Sequence, residues 1–323
     1  MKSIAIWYTP VNSRNIELTN VELHFNFWKI PNGTNQYRKF LDIGLKLENT
    51  INVKCLNIFL PTKTGSKDFE DIVAKFIGNG DLVNAIFNEN YKVVSDGTSK
   101  TYEIKNSQDE FVFKVYKTSS NDIAFTDFAN GTIISIKVPK EKIKSYYRFR
   151  IKGDFIESLS IISKPTNAIF ESAFSEIEMI DFRVNEIRDL NHDLLERIRE
   201  EVLLKIEKQH FFFICSNEEE IIGNHQPFSS CRNLESKKWD SYVDFPNINK
   251  NNLLFWKETK KNIYLAYHWK ENNKESISTL IKTKYEKNNW ITIVKFISIV
   301  VLIELFSNWI YDILKGVLTI KCN

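Results

Sequence analysis

The chain has 323 residues, of which 43% are hydrophobic and 26% are charged, and its formal net charge at pH 7 is +3. This composition excludes an intrinsically disordered protein, and the small net charge excludes binding of a polyanion through overall charge alone. The length predicts a folded body of two domains with an appendage. The four cysteines are scattered without a CxxC pair, and no apolar run of signal-peptide length opens the sequence. Both features favour a reducing compartment, so we expect the body of the protein to be cytoplasmic.

Residues 1–187 predict a mainly antiparallel β domain with some helix. Apolar and polar residues alternate through residues 21–28 and 41–47, which is the period of a half-buried strand. Similar runs predict further strands at residues 53–60, 101–106, 110–117, 122–128, 132–138, 146–152 and 177–184. Asn130 and Gly131 predict a tight hairpin between two of these runs, and residues 66–88 predict an insertion of two short helices. The pattern is typical of an antiparallel β-sandwich or barrel.

Residues 188–270 predict a second domain that contains one amphipathic helix and a small sheet. Apolar residues at helical spacing define the buried face of this helix: Leu194, Leu195, Ile198, Val202 and Ile206. Glu201 and Lys205 are four positions apart and predict an ion pair on its exposed face. The strands of the small sheet are predicted at residues 210–215, 253–257 and 262–269. Residues 271–289 are rich in charge and predict a helical or linker connector.

Residues 137–153 are strongly basic, with seven lysines and arginines against Glu141 alone. In the predicted strand 146–152, alternation places apolar side chains on one face, and the other face carries Tyr146, Arg148, Arg150 and Lys152. Cations that follow phosphates, beside a ring that stacks on bases, are the combination that holds single-stranded nucleic acid. The pattern therefore predicts a binding site for a nucleotide or single-stranded oligonucleotide. The alternative is a solvated basic strand face that binds no ligand.

Residues 290–316 predict a transmembrane helix. From Trp290 to Ile310, 15 of 21 residues are apolar. Trp290 and Trp309 are 19 positions apart, which is about 28 Å along a helix and close to the hydrocarbon thickness of a bilayer. Lysines before the segment favour a cytoplasmic N-terminal side, and hence a single pass through the inner, cytoplasmic membrane. The alternatives are a helix that docks on the protein's own body and a helix that lies flat on a membrane.

Lys295 and Glu304 stand within this segment and make the insertion of a lone helix marginal. We therefore expect a homo-oligomer that shields the charges. Glu304, Asn308, Asp312 and Lys315 fall within one stripe of the helix, opposite Lys295, and the same stripe carries apolar residues nearer the N-terminus. The predicted pore-lining set is Ile297, Val300, Val301, Glu304, Asn308 and Asp312. Because hydrophobic constrictions and acidic rings are parts of cation-conducting pores, the stripe predicts an ion channel in the lipid bilayer.

No residue pattern in the sequence predicts catalysis, a cofactor or a metal. Cys215, His225 and Cys231 match no structural zinc spacing. Glu178 and its acidic neighbours are expected to face outward from a strand rather than to form an acid–base pair. The histidines stand in no recognisable nucleophile context. We therefore expect a protein that is not an enzyme.

The order of parts is a β-rich body, a charged connector and a C-terminal membrane helix. This layout resembles the ligand-gated membrane effectors of bacterial antiviral defence, and in particular the oligonucleotide-controlled effector of the Hailong type. The resemblance implies a soluble sensor for a nucleotide signal and a membrane region that disrupts the bilayer or opens a pore. Two other interpretations stay open. One is a soluble or peripheral binding protein whose terminal helix drives oligomerisation, and the other is a membrane-tethered enzyme with an unrecognised site.

Overall fold

The structure is a computed structural model. It describes residues 3–12, 19–32, 36–95, 97–98, 100–163, 175–243, 263–286 and 290–320. The fold is mainly β, with largely antiparallel sheets, several short helices and one long C-terminal helix, which confirms the predicted fold class.

Most of the described elements are strands, and all described helices except the last are short. The strands are β1 Ala5–Pro10, β2 Asn20–Pro31, β3 Tyr37–Leu47, β4 Val53–Leu60, β5 Phe69–Asp71, β6 Lys92–Ser95, β7 Thr101–Lys105, β8 Phe111–Tyr116, β9 Ile123–Phe128, β10 Gly131–Lys137, β11 Ser145–Ile151, β12 Ser160–Ser163, β13 Ser175–Val184, β14 Val202–Leu203, β15 Lys205–Ser216, β16 Glu220–Asn224, β17 Ser230–Leu234, β18 Tyr264–Asn272 and β19 Ile277–Glu286. The helices are α1 Val73–Phe76, α2 Gly80–Phe87, α3 Asp154–Ser158, α4 His192–Glu200, α5 Ser236–Val243 and α6 Trp290–Ile320.

The strands form three sheets. The large sheet has ten strands in the order β17-β18-β15-β2-β3-β11-β8-β7-β6, with β5 beside β11. A five-stranded sheet has the order β14-β1-β4-β10-β9, and a four-stranded sheet has the order β12-β13-β19-β16. Two neighbouring pairs of the large sheet, β15 with β2 and β11 with β8, are parallel.

One face of the large sheet packs against both smaller sheets and forms the main core. The alternation predicted for β2 is confirmed, because Val21, Leu23, Phe25 and Phe27 all point into this core and are buried. The rings of Phe25 and Phe182 lie 5.0 Å apart and join the large sheet to β13 of the four-stranded sheet. Burial of each such side chain stabilises the fold by roughly 1.5–3 kcal/mol, so this interface holds the sandwich together.

The other face of the large sheet is covered by α1, α2 and α5. A second apolar cluster forms there around Trp28, Phe40, Trp239 and Tyr242. The indole ring of Trp28 lies 5.4 Å from that of Trp239. The central strands are therefore covered on both faces, and their polar residues on the helix side need partners inside the protein.

The predicted division at residue 187 is wrong. Strand β15, which follows that boundary, pairs along β2, and the short strand β14 pairs with β1. The predicted connector 271–289 is also wrong over much of its length, because β19 pairs with all of β13. The charged residues misled the prediction because side chains alternate along a strand. Every second residue of β19 is buried, and the charged residues lie at the positions between them and face outward.

The predicted amphipathic helix exists but is shorter than expected. Leu194 and Ile198 are buried on one face of α4, which ends at Glu200. Val202, Leu204 and Ile206 are buried at alternate positions, which is the period of a strand rather than of a helix. Glu201 does not pair with Lys205 across a helix turn; its carboxylate accepts hydrogen bonds from the side chains of Trp7, Thr9 and Asn57.

The two short helices predicted within residues 66–88 are confirmed as α1 and α2. The predicted hairpin before Gly131 is confirmed as well, between β9 and β10. Ala129, rather than a glycine, takes a left-handed backbone conformation in its turn, with φ of 48°. The strand predicted at 253–257 lies outside the described residues.

Gly131 is required by close packing, and this makes a testable prediction. A Cβ at this position would lie 2.2 Å from the carbonyl oxygen of Leu60 and 2.6 Å from the ring of Phe59. We expect Gly131→Ala to lower the free energy of unfolding by about 1–3 kcal/mol, because the neighbouring atom is backbone and cannot move aside cheaply. Urea unfolding of the detergent-solubilised chain measures this change.

Gly78→Ala is the matched control, because nothing lies within 4 Å of a Cβ added at Gly78. We expect this variant to unfold within about 0.5 kcal/mol of the wild type. Equal stability of the two alanine variants would contradict the packing assigned to Gly131.

Candidate functional site

Strand β11, which carries the predicted ligand-binding residues, lies inside the large sheet between β3 and β8. Tyr147, Phe149 and Ile151 enter the main core as the alternation predicts. Tyr146, Arg148 and Arg150 point to the opposite face but are also buried, with at most 1% of each residue exposed. The prediction of an accessible basic strand face is therefore wrong, because α1, α2 and α5 cover that face.

Lys152 lies just beyond the end of β11 and is separate from the two arginines. Its side chain is 41% exposed, and its ammonium nitrogen lies 3.2 Å from a carboxylate oxygen of Glu70. The accessible positive charge of the basic stretch lies before the strand, where the exposed residues are Lys137, Lys140, Lys142 and Lys144.

The two buried arginines belong to what we call the arginine–aspartate cluster, formed by Asp42, Tyr146, Arg148, Arg150 and Tyr242. Arg150 donates from Nε and Nη2 to the two carboxylate oxygens of Asp42, at 2.7 and 3.1 Å. Tyr242 donates its hydroxyl hydrogen to Asp42 Oδ2 at 2.6 Å. Bidentate bonds of this kind are short and directional, so Asp42 fixes the position of Arg150.

Arg148 bridges the sheet and helix α5. Its Nε donates to the hydroxyl oxygen of Tyr242 at 2.7 Å, and its Nη1 donates to that of Tyr146 at 2.7 Å. Its Nη2 makes no hydrogen bond within the described part of the chain and lies 4.0 Å from Asp42 Oδ2. A cavity of about 20 Å³, lined by Arg148, His24 and Trp239 among others, adjoins this guanidinium group and is large enough for one water molecule.

The arginine–aspartate cluster attaches α5 to the sheet. In addition to the hydroxyl contacts, Arg150 Nη1 donates to the backbone carbonyl oxygen of Tyr242 at 3.1 Å. The guanidinium of Arg150 also lies over the ring of Phe40, 3.9 Å from its centroid. The described contacts occupy all three guanidinium nitrogens of Arg150 and two of the three of Arg148, so the cluster is a structural element of the fold.

A second buried set of charges, which we call the lysine–glutamate cluster, was missed by sequence reasoning. Lys29 Nζ lies 2.7 Å from carboxylate oxygens of both Glu178 and Glu219, and Lys39 Nζ lies 2.7 Å from the other oxygen of Glu178. Glu178 is fully buried, so the expectation that it faces outward is wrong. Each buried ammonium group therefore contacts a carboxylate, and the pairs of Lys29 and Lys39 with Glu178 connect the large sheet to β13.

Helix α6 contains a long apolar stretch that is not buried. Residues Ile293–Tyr311 form a stretch of 19 residues with mean hydropathy 1.9, and none of that stretch is buried. Its length and composition are sufficient to span a membrane. The alternative of a helix docked on the protein's own body does not hold for these described residues.

The predicted pore-lining residues lie on one continuous helix. The described members of the set are exposed, with 58% exposure at Ile297, 63% at Val300 and 47% at Val301, and Glu304 and Asn308 are exposed as well. The side chain of Asp312 lies outside the described residues. Ser298 donates its hydroxyl hydrogen to the carbonyl oxygen of Val294 at 2.8 Å, so this polar group is satisfied within the helix.

Comparison with known proteins gives no family for this chain. No protein-family model matches the sequence, and no curated protein matches it.

The structural assignment of Arg150 can be tested by its effect on stability. We expect Arg150→Met to lower the free energy of unfolding by about 3–5 kcal/mol, because it leaves the carboxylate of Asp42 buried without its main partner. Lys152→Met removes a nearby but half-exposed cation, and we expect a change below about 1 kcal/mol. Chemical unfolding followed by tryptophan fluorescence compares the two variants. A stable Arg150→Met protein would contradict the structural role and reopen the ligand-binding one.

Proposed function

We propose that this protein is a membrane-anchored effector of the antiviral-defence type, in which copies of α6 span the bilayer side by side and line an ion-conducting pore. The observation that carries the proposal is the exposed apolar surface of α6. Its large hydrophobic side chains between Ile297 and Ile313 are 42–64% exposed, which is more apolar surface than a soluble monomer keeps in water. A bilayer is the partner that matches a helix of this length and composition.

The position of Glu304 supports an oligomer rather than a lone anchor. It lies two residues from the centre of the stretch Ile293–Tyr311, about 3 Å along the helix axis. A carboxylate at that depth costs roughly 2.5–3.5 kcal/mol on insertion scales when it faces lipid. A homo-oligomer removes this cost by placing Glu304 in a water-filled lumen, and the apolar residues Ile297, Val300 and Val301 on the same side then form a constriction.

Lys295 supports the same orientation. At about 100° per residue it falls on the side of α6 opposite to Glu304. It is seven residues from the centre of the stretch, about 10 Å along the axis, so its long side chain can reach the interface. The helix therefore has one charge suited to a lumen and another suited to the membrane surface.

The β-rich body is the controlling part in this proposal, and its ligand is a nucleotide or single-stranded oligonucleotide. Because Arg148 and Arg150 are engaged inside the protein, the exposed lysines before β11 are the groups that would meet the phosphates. Lys137 is exposed at the end of β10, and Lys140 and Lys142 are exposed in the segment that joins β10 to β11. The body is cytoplasmic and the membrane is the inner membrane in this account, since the lysines before α6 favour a cytoplasmic N-terminal side.

Neutralisation of each charge in α6 tests the pore. We expect Glu304→Gln to reduce the preference of the conductance for cations over anions, because it removes the ring of carboxylates from the lumen. Lys295→Gln neutralises one charge on the other side of the same helix and should leave ion selectivity unchanged. Reversal potentials of the purified full chain in planar bilayers, recorded in a salt gradient, measure the selectivity. Selectivity that is indifferent to Glu304→Gln removes this residue from the lumen, and a protein that never conducts contradicts the pore.

A further inference from the structure

Three histidines and one glutamate meet on the helix-covered side of the large sheet, and we call this set the histidine–glutamate cluster: Glu22, His24, His210 and His268. Glu22 and His24 are two positions apart on β2 and therefore share a face. His210 on β15 lies directly beside His24 in the parallel pairing of the two strands. The fold thus brings residues separated by almost two hundred positions into one site.

The ligand atoms of this cluster already stand at the distances that a metal site requires. Glu22 Oε1 lies 3.1 Å from His24 Nε2 and 3.4 Å from His210 Nε2. All three atoms lie within 4.8 Å of one another. Ligands bound to zinc at roughly 2.0–2.2 Å in tetrahedral geometry are about 3.3 Å apart, so the two measured separations match the edges of such a site.

The contact between His210 and Glu22 is weak in the absence of an ion. His210 Nε2 is buried and makes no hydrogen bond within the described residues, and the group that faces it is Glu22 Oε1 at 3.4 Å. A buried imidazole nitrogen that is not hydrogen-bonded is costly. The charged neighbour on the other side, Lys46, lies 3.7 Å from Glu22 Oε2, so it does not occupy the Oε1 atom that faces the two imidazoles.

The other ring nitrogen of His210, Nδ1, has a hydrogen-bond partner of the kind that metal-binding histidines usually have. His210 Nδ1 lies 3.0 Å from Nε2 of His268. A histidine that binds a metal through one nitrogen usually donates a hydrogen bond from the other, which fixes its tautomer and orientation. His268 is stacked on Phe212, with ring centroids 4.2 Å apart, so it is a fixed acceptor for that bond.

We propose that Glu22, His24 and His210 bind a divalent transition-metal ion, with His268 as the residue that positions His210. Two imidazole nitrogens and one carboxylate oxygen are a donor set that suits Zn²⁺ and leaves a coordination position open for water or a ligand. The site is independent of the proposed pore, because all four residues lie in the β-rich body. Sequence reasoning missed it because the histidines are far apart in the chain; the two-residue spacing of Glu22 and His24 on one strand face is the signal it offered.

Metal titration of the untagged, detergent-solubilised full chain tests this proposal. After treatment with a chelator, calorimetric titration with Zn²⁺ at pH 7.5 should show one strong site per chain. We expect Glu22→Gln and His210→Asn to weaken the affinity at least tenfold. His268→Phe keeps the stacking on Phe212 but loses the acceptor, and we expect roughly a 10–100-fold loss.

His192→Ala is the matched control. His192 Nε2 lies 3.2 Å from Glu196 Oε1 on the exposed side of α4, and within the part of the chain that the structure describes this histidine–glutamate pair has no third metal-binding group beside it. We expect this variant to bind Zn²⁺ like the wild type. Affinity that is the same in the wild type and in the double variant Glu22→Gln/His210→Asn would overturn the proposal.

A spectroscopic measurement keeps the test independent of how the variants fold. The wild-type chain loaded with Co²⁺ should show the visible absorption of a site with nitrogen and oxygen ligands. Strong thiolate charge-transfer bands would place the ion at a cysteine instead and overturn the assignment, as would the absence of any Co²⁺ spectrum at stoichiometric metal.

Discussion

The large sheet is covered on both faces, and the rest of the body depends on this constraint. Its inner face packs on two smaller sheets through apolar side chains and the lysine–glutamate cluster, while its outer face carries the arginine–aspartate and histidine–glutamate clusters beneath short helices. A buried charge without a partner costs several kcal/mol, so each of these groups must meet another one inside the protein. Asp42 illustrates the result, because its carboxylate receives Arg150, Tyr242 and the indole nitrogen of Trp28 together.

This arrangement explains how far sequence could predict the structure. Alternation identified β2, β3, β4 and β11 because most side chains on their inner faces are apolar. It could not show that the second face of β11 was buried, since that depends on α5, which is 85 residues or more further along the chain. The one local signal was the spacing of Trp239, Tyr242 and Val243, which marks a buried helical face.

The errors in domain organisation have a similar origin. Composition changes at residue 188 and again at 271, but strand pairing ignores both points: β15 joins β2, and β19 joins β13. Long-range pairing depends on which edges are free when the chain folds, and a single sequence does not record this. The charged residues of β19 suggested a connector although they occupy only its outer face. The buried histidines and glutamates were hidden for the same reason, since each gains its partner from a distant strand.

Helix α6 is not packed against the protein core as the other elements are. It follows β19 closely but buries none of its apolar stretch, and within the described residues no other helix is left so exposed. The sequence predicted a long apolar helix here because a helix satisfies its backbone hydrogen bonds internally and needs no distant partner. Both the proposed pore and its regulation by a ligand require that α6 is inserted in a membrane.

Alkaline-carbonate extraction tests that claim most directly. Membranes would be prepared from cells that express the full chain, a chain that ends at Glu286 after β19, and a full-length variant with Leu302→Lys and Phe306→Lys. The account predicts that the full chain stays in the membrane pellet while the truncated chain and the double-lysine variant are extracted. A full chain that washes into the supernatant would contradict it, and α6 would then be an interface between soluble copies.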